Sequence, residues 1–129
     1  MAAMSSWLEE AILHQVLRGI NYSGNSTIYA ALFLTTTDNG GGVEVSGNGY
    51  SRSLVGDFGQ PVNGFSSNTT QVTFGPATAS WGTITHFALY DGTSPSSKRL
   101  FHGKLTVPKL IEIGDTFVFP VGNITIGVS

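Results

Sequence analysis

Near the start of the chain, Leu8, Ile12 and Val16 recur at helical spacing, with Ala11 beside them. Ser6 and Glu9 form a capping-box pattern, in which the hydroxyl and the carboxylate each satisfy a free backbone donor. Glu9 and Glu10 sit at the positive end of the helix dipole, Arg18 falls in the last turn, and Gly19 suits a left-handed cap. Together these signals predict one helix over residues 6–18. Trp7, Leu13, Leu17 and Ile20 widen its apolar surface beyond one stripe, so the helix is expected to touch more than one neighbour.

Beyond a loop at 21–26 the period changes. Residues 27–36 (TIYAALFLTT) are almost all apolar or β-branched, as in a strand buried on both faces. The stretch 37–49 (TDNGGGVEVSGNG) reads as a flexible, turn-rich loop. A short strand over 50–55 and a Gly, Asn and Ser loop over 56–69 precede a strand over 71–75. The clearest alternation is WGTITHFALY at 81–90. It puts Trp81, Thr83, Thr85, Phe87 and Leu89 on one face and Gly82, Ile84, His86, Ala88 and Tyr90 on the other. After a turn at 91–97, residues 100–105 alternate Phe101, Gly103 and Leu105 against His102 and Lys104. Pro108 and Lys109 open a bend, and Ile111 to Ile113 approach a turn at Gly114-Asp115. Residues 116–121 and 123–128 form the last strands, with Pro120 marking an edge or a bend. One helix followed by short strands with turn signals between them predicts a mainly β fold: an antiparallel β-sandwich, with jelly roll as the expected topology. Residues 1–20 form an N-terminal arm and helix and 21–129 the sandwich, within a single structural domain.

Composition sharpens this picture. The chain has 129 residues, of which 40% are hydrophobic and only 11% charged, where about 25% charged is usual. The exposed surface is therefore covered by neutral polar groups, or part of it lies in an interface. The formal net charge is −2. Lys98, Arg99 and Lys104, with Lys109 further on, are the closest basic grouping, too sparse for a polyanion, so no nucleic-acid partner is expected. With no cysteine, disulfides, zinc thiolates and thiol catalysis are excluded. Met1 to Glu10 lack the basic and apolar regions of a signal peptide, and no apolar run reaches membrane-spanning length, so no membrane association is expected. Sequons begin at Asn21, Asn25, Asn68 and Asn123, and read as strand-and-turn composition rather than glycosylation.

Candidate chemistry is sparse. The Gly-rich run at 38–49 lacks the following helix and the Lys-Ser/Thr of a phosphate loop. His86 and His102 lie on neighbouring strands and with Asp91 would make a two-His, one-carboxylate metal set, but no HxH or HExxH spacing supports it, and hydrogen bonding is the simpler reading. His14 reads as a surface or interface residue. No GxSxG elbow accompanies the many serines, and Asp57, Asp91 and Asp115 read as turn formers. No catalytic residue, metal ligand or cofactor site is assigned. Trp81, Phe87, Tyr90, Phe101, Phe117 and Phe119 read as sandwich core, with a sugar-binding face as the alternative. Trp7 fits either a groove on a partner or packing on its own subunit. The segment 117–128 has high β-propensity and no charge, so it is either central or covered by another subunit. Subunit or capsid contact is accordingly expected at Trp7, Leu8, Ile12, Val16, Phe117, Phe119, Ile124 and Ile126.

From Phe74 onward the chain resembles a family of small tailed-phage virion proteins. The resemblance rests on Phe74-Gly75-Pro76-Ala77-Thr78, on Trp81-Gly82-Thr83-Ile84-Thr85-His86-Phe87 and on Tyr90-Asp91. It continues through Leu100 to Leu105, Pro108-Lys109, Gly114-Asp115-Thr116 and Phe119, with weaker similarity at Ile28 to Leu34 and Tyr50-Ser51-Arg52. It implies a structural protein of the virion with no catalytic residues. The leading expectation is a capsid cement or decoration protein, forming a homo-oligomer, a trimer, that clamps major capsid proteins through the arm at 1–10 and the loops at 37–49 and 56–69. A tail-fibre or baseplate component with host-glycan binding is the alternative, and a small metal-dependent enzyme on a β-barrel is a third class. Assembly in the bacterial host cytoplasm agrees with the absence of cysteine.

Overall fold

The computed structural model describes residues 3–19, 27–36, 41–56, 58–94 and 96–127. A short strand β1 (Ala3–Met4) leads into helix α1 (Ser6–Arg18), with the bounds the sequence predicts. The cap differs by one residue: Ser5, not Ser6, is the N-cap, and its hydroxyl accepts the Leu8 amide at 3.2 Å. The same hydroxyl donates to the Arg99 carbonyl, so Ser5 starts the helix and ties it to the sheet. At the other end Gly19 takes the left-handed conformation at φ 68° and its amide bonds the His14 carbonyl.

Strands β2 (Ile28–Thr36), β3 (Gly42–Glu44), β4 (Ser53–Val55), β7 (Gly82–Tyr90) and β8 (Arg99–Ile111) join β1 in one antiparallel sheet. Its order is β1-β8-β7-β2-β3, with β4 also on β2. Two antiparallel ladders complete the strands: β5 (Phe65–Ser67) with β10 (Thr125–Gly127), and β6 (Val72–Phe74) with β9 (Phe117–Phe119). The protein is thus mainly β with one helix and antiparallel sheets. One six-stranded sheet with two separate ladders does not establish jelly-roll connectivity.

The core forms between these parts. Ala30, Leu32, Ile84, Phe87, Leu89 and Ile111 of the sheet meet Val72, Phe74, Phe117, Phe119, Ile124 and Ile126 of the second layer. Phe74 meets Phe117 and Phe119 edge-on at 6.1 and 6.2 Å, a favoured geometry for aromatic rings.

Three sequence expectations change. The alternation along β7 breaks at Thr85, where the pairing with β8 shifts from Ile84–Lys109 to His86–Lys104. Strand β8 therefore bulges through 105–108, and Ile84 turns into the core beside Phe87 and Leu89 rather than away from them. The loop expected at 37–49 contains β3 and the buried Val45; its residues 37–40 lie outside the described ones. The loop expected at 56–69 contains β5 and the buried Asn68, while Asp57 lies outside the description. In both loops long-range partners supply the order that Gly-rich sequence withholds.

Candidate functional site

On the face of the main sheet away from the core, cross-strand pairing aligns Tyr29, Ala31 and Phe33 of β2 with Tyr90, Ala88 and His86 of β7. Ala31, Phe33, Ala88 and Tyr90 are buried there. Two arginines contribute to their cover. Arg52 places its guanidinium 3.7 Å from the Tyr90 ring centroid, and Arg99 lies 4.6 Å from that of Phe33. The Tyr90 hydroxyl accepts from Arg99 Nε and Nη2 at 3.1 and 3.0 Å. Arg52 forms a two-pronged bond to Glu44, at 3.0 and 2.9 Å, and donates to the Gly92 carbonyl. Tyr50 donates to Glu44 at 2.7 Å and accepts the Leu32 amide at 3.0 Å. Burial, and then the bond to Glu44, push the Tyr50 phenol far above its ordinary range. Burial works to lower the Arg52 pKa, but the bonds and charge of Glu44 outweigh it and hold the guanidinium above its usual value. The network fixes β3 and the loop after Tyr90, and within it the charges of Arg52 and Glu44 pair.

The residues that carry the sequence resemblance turn out to be joints of the fold. Ala77 and the Gly114-Asp115 turn exchange backbone bonds, Ala77 N to Asp115 O at 2.9 Å and Gly114 N to Ala77 O at 2.7 Å. Gly75 at φ 105° lies so close that an added Cβ would stand 3.0 Å from the Asp115 carbonyl oxygen. Trp81 Nε1 donates to the Asn48 carbonyl at 2.9 Å. Asp91 accepts the Lys98 amide and Asp115 the Glu112 amide, as turn formers do.

Of the residues expected at contacts, the structure separates two groups. Phe117, Phe119, Ile124 and Ile126 are buried in the domain's own core, so its own second layer covers the charge-free C-terminal segment. On the helix, Leu8 is buried and Ile12 half-buried, Trp7 is partly exposed, and Val16 is 71% exposed. Leu8, Ala11 and Ile12 form the docked face. Leu13, Val16 and Leu17, spaced i, i+3, i+4, are 55%, 71% and 74% exposed; Val16 continues the Leu8–Ile12 stripe past the docked turns, and Leu13 and Leu17 lie to one side of it. Ile20, Met1 and Ala2 lie outside the described residues.

The histidines do not converge on a carboxylate. His86 lies opposite Lys104 and His102 opposite Ala88. Burial first, then Lys104 and His102, hold the His86 imidazole below its ordinary range. Among the described residues no three His, Cys, Asp or Glu side chains come together. His14 is exposed, 3.4 Å from Arg18 on the helix. Among the described residues no helix is long and apolar enough to cross a membrane.

One cleft, of about 320 Å³, opens between the β8 bulge and β9. Phe87, Phe117 and Phe119 line its floor, and Leu105, Val107 and Val118 its apolar walls. Its polar groups are Lys104, Lys109, Thr106, Asn123 and Thr125. The sparse basic grouping seen in the sequence is therefore divided: Arg99 is buried under the sheet, and Lys104 and Lys109 share a cleft. Sequence reasoning missed this site because the four residues between the lysines hide the bulge that brings both to one opening.

A search of curated proteins gives no match. A family model described as podophage GP4 fiber I protein gp80 matches residues 3–127, spanning the helix, the sheet and both ladders. By that match the chain belongs to the podophage fibre protein family, a family of tailed-phage virion proteins.

Proposed function

We propose that this protein is a structural subunit of a tailed-phage fibre, assembled as a homotrimer through the outward face of α1. The observation that carries the reading is the family match over residues 3–127, whose description names a fibre protein. That description favours the fibre over the capsid cement role clamping major capsid proteins, which the composition alone also suits. The resembling residues support a structural role, since they serve as hydrogen-bonded joints and packing partners. The helix supplies the subunit contact: Leu8, Ala11 and Ile12 dock its first turns on the domain, and the exposed apolar patch of its last turns, Leu13, Val16 and Leu17, is left to a second copy. The sandwich carries no part of that contact through Phe117, Phe119, Ile124 or Ile126, which are core. Assembly takes place in the bacterial host cytoplasm, where a chain without cysteine needs no oxidising compartment. The role requires no catalytic group or cofactor.

Copy number in purified particles, measured by quantitative mass spectrometry against the major capsid protein, tests the position. A small multiple of three per particle is expected. Hundreds of copies would overturn the fibre reading in favour of capsid cement, and absence from particles would sink both.

A further inference from the structure

We infer that the cleft between the β8 bulge and β9 binds an acidic saccharide, a pyranose carrying a carboxylate or phosphate group. Its volume, about 320 Å³, lies at the small end of the range for ligand sites and suits one or two sugar rings. Two of the chain's six basic side chains, Lys104 and Lys109, line it, and no acidic residue does. Of the other four cations three are engaged: Arg52 with Glu44, Arg99 with Tyr90, and Arg18 with His14. In a protein of net charge −2, this is a local reversal of sign on a concave surface, which selects an anion.

The remaining lining argues for a sugar rather than a bare anion. Phe87, Phe117 and Phe119, with Leu105 and Val118, line the cleft with apolar atoms suited to the C–H face of a pyranose. Lys109 Nζ stands 5.7 Å from the Phe117 ring centroid, so charge and aromatic surface lie within one sugar's reach. Asn123 supplies an amide, and Thr106 and Thr125 hydroxyls, to bond sugar hydroxyls. The bulge at 105–108 builds the site, since in regular pairing Lys104 and Lys109 would lie on opposite faces of β8. With the fibre reading, on which the source of the ligand rests, the saccharide is one displayed on a host envelope.

The test is titration of the intact purified protein with four probes, tri-galacturonate, glucose 6-phosphate, maltotriose and inorganic phosphate, followed by amide NMR shifts. Tri-galacturonate or glucose 6-phosphate should shift amides of residues 104–109 and 117–125. Either affinity should fall roughly tenfold in Lys104→Gln/Lys109→Gln, equivalent to about 1.4 kcal/mol. Both lysines are exposed, so the variant keeps its fold, which its unchanged spectrum elsewhere verifies. Asn123→Ala should weaken the acidic sugar and leave inorganic phosphate unchanged. Maltotriose binding as tightly as tri-galacturonate, inorganic phosphate binding as tightly as glucose 6-phosphate, or no shift with any probe would each overturn the inference. Copy number in particles judges the fibre reading separately, so the two fail independently.

Discussion

Asn68 shows how one polar side chain holds the second layer together. It is 1% exposed; its Oδ1 accepts the Ile124 amide at 2.9 Å, and its Nδ2 donates to the Thr70 and Pro120 carbonyls at 2.7 and 3.2 Å. Removing such a group leaves several buried backbone partners unpaired, each costing about 1–3 kcal/mol. Asn68→Ala should therefore lower stability by about 2–4 kcal/mol, read from the urea midpoint at unchanged slope. The sequence shows Asn68 only as one of four sequons, and nothing local says that two of its three partners lie more than 50 residues away. His86 gives a second residue-scale expectation. Its folded pKa lies below the ordinary value near 6.5, so the unfolded chain binds the proton more readily. The contribution is complete above pH 6.5 and is lost as pH falls below it. Thermal stability should decline between about pH 7 and 5, and His86→Gln should flatten that part of the profile. A wild-type profile flat across this window would contradict it.

At the scale of elements, α1 is the part written most fully into its own sequence. A helix of 13 residues is marginal alone in water, so its ends and its docking decide whether it forms. Ser5→Ala removes the cap and the tie to Arg99, and should cost about 1–2 kcal/mol. Gly19→Ala should cost about 1 kcal/mol, through the left-handed backbone alone, since nothing lies within 4 Å of an added Cβ. Loss of helical circular dichroism before the main unfolding transition is the expected readout for both. β3 is the contrasting element. Its sequence is turn-like, yet Glu44 is clamped by Arg52 and Tyr50, and Arg99 Nη2 holds the Gly41 carbonyl at 3.0 Å. Local propensity lost there to side-chain bonds from elsewhere in the chain.

For the whole molecule, the low charge of 11% raised two possibilities, a neutral polar surface or a hidden interface. The helix concentrates the second on one stripe. Val16→Asp/Leu17→Asp should convert the proposed trimer to a monomer by light scattering, with the sandwich's melting temperature otherwise preserved. Phe119→Ala should behave in the opposite way, costing about 3–5 kcal/mol by opening a cavity between Phe74, Phe87 and Phe117. A wild-type protein that runs as a monomer at micromolar concentration would overturn the assembly proposal. The pairing of these variants matters because the sequence offered both groups as contact residues. Burial separates them.

What the sequence by itself determined was local or periodic. The bounds of α1, the long strands at 27–36 and 81–90, the turn roles of Asp91 and Asp115, and the mainly β class all follow from rules that act over a few residues. Tertiary structure decided which apolar residues face the core and which face outward, because a strand reads the same whichever layer covers it. It also decided the bulge opposite Thr85, which turns Ile84 inward and sets Lys104 and Lys109 on one cleft. A bulge is a property of two strands paired in a register, and neither strand carries that register alone.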